Sequence, residues 1–342
     1  DDVKFSNGQK MTSEDVVFSI LRAKQPTSDF KEYISTISGV KAIDDYTVQI
    51  KTSKPNPILL NQLSNIFIMS KQWSADNFAV APQNWDAGQE TFSATNAMGT
   101  GPFKITLREP NTKTVFKKNS KWWGNVEHNI TEIQLLPIKN AATRVAALLS
   151  GEIDLVTDAP VQDLNRISSS GDHKVESTPQ MRTIFLGMDQ KADKLRTGNT
   201  GDNPFKKKEV RQALYQAIDI EAIKKKVMRG LSEPAGIITF PGVTGYTKAL
   251  DKRLPYDVDA AKKLLADAGY PSGFDVELRC PNDRYVNDEA ICTAVVGMLG
   301  KIGVNVNLFA QTKSKHFKEL KDNQGDFYML GWGVPTLDSH YV

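Results

Sequence analysis

Residues 274–330 decide the fold class and read FDVELRCPNDRYVNDEAICTAVVGMLGKIGVNVNLFAQTKSKHFKELKDNQGDFYML. Short apolar runs alternate here with helical patterns. The predicted elements, in order, are a strand over 274–279, a helix over 288–302, a strand over 304–309, a helix over 314–322 and a strand over 327–330. Short connections favour right-handed crossovers, which make consecutive strands parallel. The stretch therefore predicts a β-α-β-α-β unit of an α/β domain.

Two loops leave this predicted sheet at one edge. Open parallel sheets bind ligands in the crevice outside the carboxyl ends of their strands, and residues 280–287 and 332–340 both emerge there. In the first loop, Arg284 offers a planar fork of donors and Tyr285 an amphipathic ring. Both could reach a carboxylate or a peptide group of a ligand. The structural alternative, which is equally consistent with the sequence, is that Arg284 is a surface residue and Tyr285 a packing residue.

The second loop begins at Gly331-Trp332-Gly333. Glycines let the backbone approach a bound group closely, and Trp332 adds a large apolar face with one N–H donor. A core tryptophan at a strand end, followed by a turn, is the structural alternative. The position of the loop at the carboxyl edge favours the ligand-binding interpretation.

The chain has two cysteines, Cys280 and Cys292. Cys280 ends a predicted strand, and Cys292 lies in the second turn of the following helix, a separation that a disulfide could span. Such a bridge would hold the loop at residues 280–287 in place. Two reduced, buried thiols are an equally good interpretation of the sequence.

Composition excludes several classes of protein. With 342 residues and 40% hydrophobic content, the chain can form two or three domains with their own cores. Lys and Arg number 43 against 40 for Asp and Glu, and the longest basic blocks are the triplets at 206–208 and 224–226, which argues against a nucleic-acid partner. No apolar run approaches the roughly 18 residues that a membrane span needs.

The sequence contains no pattern of a catalytic or metal site, and we expect neither an enzyme nor a cofactor. His128, His173, His316 and His340 are scattered, without metal-ligand spacing, and no Gly-x-Ser-x-Gly turn occurs. The glycine-rich turn at 96–103 lacks the Gly-Lys-Ser/Thr of a phosphate loop. A cleft lined by methionines and a histidine could hold a metal chelate, although methionines this dispersed are more typical of core filler. Its candidates are Met98, Met181, Met329 and His340.

Upstream, the sequence predicts an α+β segment followed by further α/β elements. Thr12 is placed to cap a first helix, whose apolar face includes Ile20 and Leu21. Asp219 and Asp257 are placed to cap two later helices. The remaining predicted strands cover 46–51, 103–107, 115–118, 133–137, 152–156 and 183–188, and the remaining helices cover 58–63, 141–149 and 208–217.

Several short motifs, taken together, resemble one protein family. They are KFSNG at 4–8, TSEDVVF at 12–18, GTGPF at 99–103, NSKWWG at 119–124, SGEID at 150–154, VRQAL at 210–214 and the segment 256–269. In this order and at these spacings they resemble extracellular solute-binding protein family 5. Its members are the dipeptide, oligopeptide and nickel-type substrate-binding proteins of bacterial ABC importers.

The resemblance implies a type II periplasmic-binding-protein fold, with two ligand lobes and an extra α+β lobe, truncated at both ends. Residues 1–98 then form the extra lobe, 99–180 part of the first ligand lobe and 181–342 the second.

The resemblance also implies a function. We expect a monomeric receptor that captures a solute between two lobes, most simply a di- or oligopeptide, and delivers it to an ABC permease. Its place is the periplasm, or a lipid-anchored position at the cell surface. A sugar, nickel or a metal chelate is the alternative solute.

One position departs from the family pattern. Peptide-binding members carry an acidic residue three positions after the tryptophan of the Gly-Trp motif, and this chain has Pro335 there. Proline cannot hold an ammonium ion, and Asp338 could compensate. The candidate ligand-binding residues are therefore Gly331, Trp332, Gly333, Asp338, Met329, Arg284, Tyr285, Met181 and Thr183.

Overall fold

The computed structural model describes residues 2–84, 87–88 and 90–342. The chain divides into two compact units. The first comprises residues 1–137 with 335–338, and the second comprises 138–334 with 339–342. The division into lobes at 98 and 180 stays a prediction. Within the described residues, no helix combines the length and the apolar character that crossing a bilayer requires.

The described part of the first unit contains two antiparallel sheets and four short α-helices. One sheet pairs β1 (Ile37–Asp44) with β2 (Thr47–Thr52), and the other has the order β3-β4-β5. The other elements are β3 (Phe103–Glu109), β4 (Lys113–Lys118), β5 (Glu132–Leu135), α1 (Ser13–Ala23), α2 (Leu59–Leu63), α3 (Lys71–Asp76) and α4 (Phe92–Thr95).

Helix α1 begins where the sequence predicts. The backbone N–H of Thr12 donates to Asp15 Oδ2 over 2.8 Å, which forms one half of a capping box. Asp15 Oδ1 also accepts the backbone N–H of Lys71 over 2.8 Å, so the same carboxylate ties α1 to α3. Ile20 lies in a small apolar core, as predicted. The prediction for Leu21 is wrong, because its side chain is half exposed.

The second unit is larger and holds most of the apolar core. Its strands are β6 (Thr183–Met188), β7 (Asp275–Pro281), β8 (Asn305–Gln311) and β9 (Phe327–Trp332). Its helices are α5 (Ala141–Leu149), α6 (Leu164–Ser168), α7 (Lys208–Ala217), α8 (Ile220–Ala222), α9 (Val258–Asp267), α10 (Asp288–Gly300) and α11 (Lys313–Lys321). Asp219 and Asp257 cap α8 and α9 as predicted, each accepting a backbone N–H over 2.9 Å.

The predicted β-α-β-α-β unit is confirmed. The sheet order is β6-β9-β7-β8, and β7 runs parallel to both β8 and β9. The connections through α10 and α11 supply the crossovers that parallel strands need. Strand β6 is antiparallel to β9, which the sequence does not indicate.

The predicted strand over residues 152–156 is wrong. The backbone N–H groups of Glu152 and Ile153 both donate to the carbonyl of Ala147, and Gly151 closes helix α5 at φ +76°. Ile153 and Val156 then pack against a small core formed by α5 and α6. The apolar pattern of this segment therefore reflects packing beside a helix end, not pairing in a sheet.

A buried histidine lies beneath the central strand. His316, on α11, is fully buried, and its Nε2 lies 2.9 Å from the carbonyl oxygen of Met329 on β9. Its Nδ1 is buried without a partner in the described part of the chain. Burial lowers the pKa of His316, while the nearby Glu319 carboxylate acts in the opposite direction and Arg279 adds to the lowering.

We expect His316 to make stability depend on pH. Because burial lowers its pKa in the folded protein, the unfolded chain takes up this proton first. The contribution of His316 is complete above about pH 6.5, its ordinary pKa, and is lost as the pH falls toward the lowered value. Urea unfolding from pH 7.5 to pH 5 should therefore show a falling free energy of unfolding.

The control separates this histidine from the other titrating groups. His316→Gln should flatten the decline below pH 6.5, whereas His128→Gln, at an exposed position, should leave it unchanged. An equal slope in the wild type and His316→Gln would contradict the assignment.

Candidate functional site

Strands β7, β8 and β9 end, and strand β6 begins, at one edge of the second unit's sheet. The parallel strands β7 and β9 end there at Pro281 and Trp332. The antiparallel strand β6 begins there, with Thr183 paired to Trp332. The carboxyl edge therefore gathers the loop after β7, the residues after β9 and the residues before β6. This is where open parallel sheets bind ligands.

The contact between Gly331 and Tyr285 defines this edge. The backbone N–H of Gly331 donates to the Tyr285 hydroxyl over 2.8 Å. A Cβ atom on residue 331 would lie 2.6 Å from Ile184 Cδ1 and 2.8 Å from Tyr285 Cε1, which is closer than real Cβ contacts allow. Glycine is therefore required for the tyrosine ring to lie against the end of β9.

Asp288 holds the loop that carries Tyr285. Its Oδ2 accepts the backbone N–H groups of Arg284 and Tyr285, each over 2.9 Å, and its Oδ1 accepts that of Glu289 over 3.0 Å. Burial raises the pKa of Asp288 above its ordinary value, although these three donors favour the charged form. The carboxylate thus anchors the loop backbone through three N–H donors.

A disulfide joins the two ends of the same loop. Cys280 and Cys292 are bonded with an S–S distance of 2.07 Å, and both residues are fully buried. The bridge connects β7 to the second turn of α10. The arrangement therefore resolves the alternatives that the sequence left open, in favour of the bridge.

Trp332 and Met181 lie beside this loop at the same edge. Trp332 is 38% exposed, and its ring stacks on Tyr341, with centroids 6.0 Å apart and an angle of 26° between the planes. Met181 is half exposed, and its backbone oxygen lies 3.3 Å from where a Cβ on Gly333 would be. The edge therefore exposes the aromatic surface of Trp332 and the thioether of Met181. Beside them, the backbone of Met181 packs closely against Gly333.

Two predicted site residues belong to other parts of the chain than this edge, one to the core of the second unit and one to the first unit. Met329 is 1% exposed, and its side chain packs in the large core of the second unit rather than at the edge. Asp338 belongs to residues 335–338, which form part of the first unit, where Asn61 Nδ2 donates to the carbonyl of Thr336 over 2.8 Å. The ligand-binding roles of the predicted residues stay predictions.

Sequence reasoning misses Arg182. Its guanidinium carbon lies 6.0 Å from the centroid of the Tyr285 ring, and that of Arg284 lies 5.2 Å from the same centroid. Arg182 precedes β6, and only the antiparallel pairing of β6 with β9 brings it to this edge. No local signal in the sequence reveals that pairing.

Potential metal ligands do not cluster in the described chain. Across residues 2–84, 87–88 and 90–342, no three His, Cys, Asp or Glu side chains are grouped so that they could hold a metal ion.

A family model matches residues 1–342, and it describes the bacterial extracellular solute-binding proteins, family 5 Middle. The chain belongs to this family. The family resemblance drawn from the motifs is thereby confirmed.

Individual relatives show the same relationship. The dipeptide-binding protein of Escherichia coli (strain K12) is 26% identical over 351 residues, which cover 97% of this chain and 62% of the relative. The chain thus spans about three fifths of that protein's length.

Solved structures confirm the periplasmic-binding-protein fold. The binding protein AgaA from A. tumefacien R10, in complex with agropinic acid, is 28% identical with a TM-score of 0.77, and the match covers 99% of this chain and 65% of AgaA. The oligopeptide-binding protein AppA from Bacillus subtilis, in complex with a nonapeptide, is 22% identical with a TM-score of 0.82, and the match covers 98% of this chain and 66% of AppA. The second likeness bears on the fold alone.

We expect Gly331→Ala to displace Tyr285. The added methyl would overlap the tyrosine ring and Ile184, so the loop after β7 must shift, at a cost of about 1–3 kcal/mol. Gly297→Ala is the matched control, because no atom lies within 4 Å of where its methyl group would be and alanine favours the helix. Denaturant unfolding should show a lower free energy of unfolding for Gly331→Ala and no decrease for Gly297→Ala. Equal stability of the two variants would contradict the contact.

Proposed function

We propose that this chain is the solute-binding component of a bacterial ABC importer. In this role it captures a small solute and presents it to a membrane permease, as a monomer, from the periplasm or from a lipid anchor at the cell surface. The observation that carries the proposal is the edge where Tyr285, Gly331 and Trp332 meet, in a chain whose family consists of solute-binding proteins. We propose binding without turnover and without a nucleic-acid partner.

Solute capture would work by hinge closure. In the lobe arrangement that the family resemblance implies, a solute favours the closed state because only there does it contact both ligand lobes. An affinity near micromolar corresponds to about −8 kcal/mol, shared between hydrogen bonds to backbone-type groups and apolar burial. The exposed surface of Trp332 could bury an apolar group of the solute, and the loop after β7 could supply hydrogen bonds to it.

A di- or oligopeptide is the solute we propose first. Support comes from the dipeptide-binding relative in Escherichia coli, which matches nearly the whole chain. The alternative is a non-peptide solute, such as a sugar, nickel or a metal chelate. The likeness to AgaA, a protein solved with agropinic acid, favours keeping a non-peptide solute in view.

Native mass spectrometry of the gently purified full-length protein tests this function. A heterogeneous set of adducts at peptide masses is the expected result, because a receptor that recognises the peptide backbone accepts many side chains. A single sharp adduct of another class would retain the receptor role and overturn the peptide assignment. Turnover of peptides into products would overturn the receptor role itself.

Asp338 gives a second test, because Pro335 occupies the position where peptide-binding members carry an acidic residue. If Asp338 takes over the role of that acidic residue, it binds the ammonium group of the ligand. Asp338→Ala should then weaken binding of a dipeptide with a free amino terminus, such as Ala-Ala, by about tenfold or more, through loss of a charge-assisted hydrogen bond. Isothermal titration calorimetry measures the change, with Asp163→Ala as a control. Unchanged affinity would remove Asp338 from the site.

A further inference from the structure

One asparagine of the chain lies in an acceptor sequence for N-linked sugar. Residues 127–131 read Glu-His-Asn-Ile-Thr. Asn129 is the only asparagine of the sequence that is followed two positions later by serine or threonine, with a residue other than proline between them. The pattern Asn-x-Ser/Thr is the acceptor for N-glycosylation, and it belongs to surface loops of exported proteins. A pattern this short also occurs by chance, so its structural context decides.

The acceptor sequence lies in an irregular surface loop of the first unit, between β4 and β5. Each residue from 127 to 131 is exposed. The loop is held on both sides of Asn129. The ring of His128 stacks on Phe103 with centroids 5.3 Å apart, and the carbonyl of Thr131 accepts a backbone N–H from the end of β4 over 2.8 Å. Asn129 is therefore presented to solvent outside any helix or strand, where a modifying enzyme can reach it.

Glu127 extends the acceptor sequence. It lies two positions before Asn129, so the segment has the form acidic-x-Asn-x-Thr. Its exposed carboxylate offers a transferring enzyme a charge-assisted hydrogen bond, in addition to the hydrogen bond that the Thr131 hydroxyl can make. The three side chains that such an enzyme would recognise are thus accessible on one short segment.

The disulfide agrees with a modification of this kind. Disulfides form in oxidising compartments outside the cytosol, and Cys280 and Cys292 are bonded. The family to which the chain belongs is one of extracellular solute-binding proteins. Asparagines in the acceptor pattern are glycosylated in exported proteins, so the chain and the reaction share a compartment.

We propose that Asn129 is a site of N-glycosylation, and that the donor is an oligosaccharide carried on a polyprenyl diphosphate. In the transfer, Nδ2 of Asn129 forms a bond to the anomeric carbon of the first sugar. The bond between that carbon and the diphosphate oxygen breaks, Nδ2 loses one proton, and the lipid diphosphate leaves. No group is oxidised or reduced. The product is a bulky, hydrophilic group on the surface of the first unit.

Denaturing mass spectrometry of the full-length protein from its native host tests the site. We expect a fraction of the wild type to be heavier by a constant glycan mass. Unlike a bound solute, the glycan is covalent and stays attached when the protein unfolds. Trypsin releases Asn129 in the peptide 122–139, which follows Lys121 and ends at Lys139. Fragmentation by electron transfer, which leaves the sugar attached, should locate the added mass at Asn129.

Single variants separate recognition of the acceptor sequence from exposure of the loop. Asn129→Gln and Thr131→Val should lose the added mass, and Thr131→Ser should retain it because serine keeps the hydroxyl. Asn125→Gln is the matched control, since Asn125 is exposed in the same loop but has Glu127 two positions later. It should leave the modified fraction unchanged. Glu127→Gln should lower the modified fraction, because it removes the charge.

The contrary outcomes are equally specific. A wild-type peptide 122–139 that carries no sugar would overturn the proposal, and so would a glycan that persists in Asn129→Gln or in Thr131→Val. An unchanged modified fraction in Glu127→Gln would overturn the role given to Glu127. Thermal unfolding checks each variant, and if Asn129→Gln fails to fold, the two variants of Thr131 decide. The receptor function keeps its own test, because solute adducts are weighed under native conditions and the glycan under denaturing ones.

Discussion

The central position of β9 is the constraint on which the second unit depends. A strand between two neighbours must satisfy its backbone groups on both sides, and β9 does so with β6 along its whole length and with β7 at Phe327 and Tyr328. Its inward side chains, Phe327 and Met329, are completely buried. Asp326, just before the strand, accepts the backbone N–H groups of Arg196 and Thr197, which fixes where the strand begins.

The candidate site follows from that register. Once Phe327 and Met329 face the core, the strand must deliver Gly331 and Trp332 to the carboxyl edge. A slip of one residue would turn the buried side chains outward, so the register is strongly specified. The Tyr285 hydroxyl then accepts the backbone N–H of Gly331 directly. This contact constrains the edge, and a constrained edge reduces the entropy that binding must overcome.

Much of this architecture could be predicted because its causes are local. The elements from β7 to β9 follow from short apolar runs and helical patterns, and the caps at Thr12, Asp219 and Asp257 follow from single side chains. The parallel arrangement follows from the short connections. The site loops could be located for the same reason, since the edge of a parallel sheet is fixed by its topology.

The remaining features depend on contacts between distant parts of the chain. Arg182 reaches the edge only because β6 pairs with β9, and the sequence around residue 182 does not predict that pairing. Met329 resembles a cleft residue in the sequence, but alternation along β9 turns its side chain inward, toward the disulfide. The segment at 152–156 has the composition of a strand, but a helix end takes up its backbone donors. The local sequence pattern could not predict the position of Arg182, the orientation of Met329 or the structure of residues 152–156.

The order of β6 and β9 along the chain has a consequence for biosynthesis. Strand β6 is made well before its partner, so during synthesis it presents an unpaired edge with apolar side chains until residues 327–332 emerge. Contacts of such long sequence separation form slowly, and exposed strand edges invite association with other chains. The sheet of the second unit can therefore close only when β9 has been made.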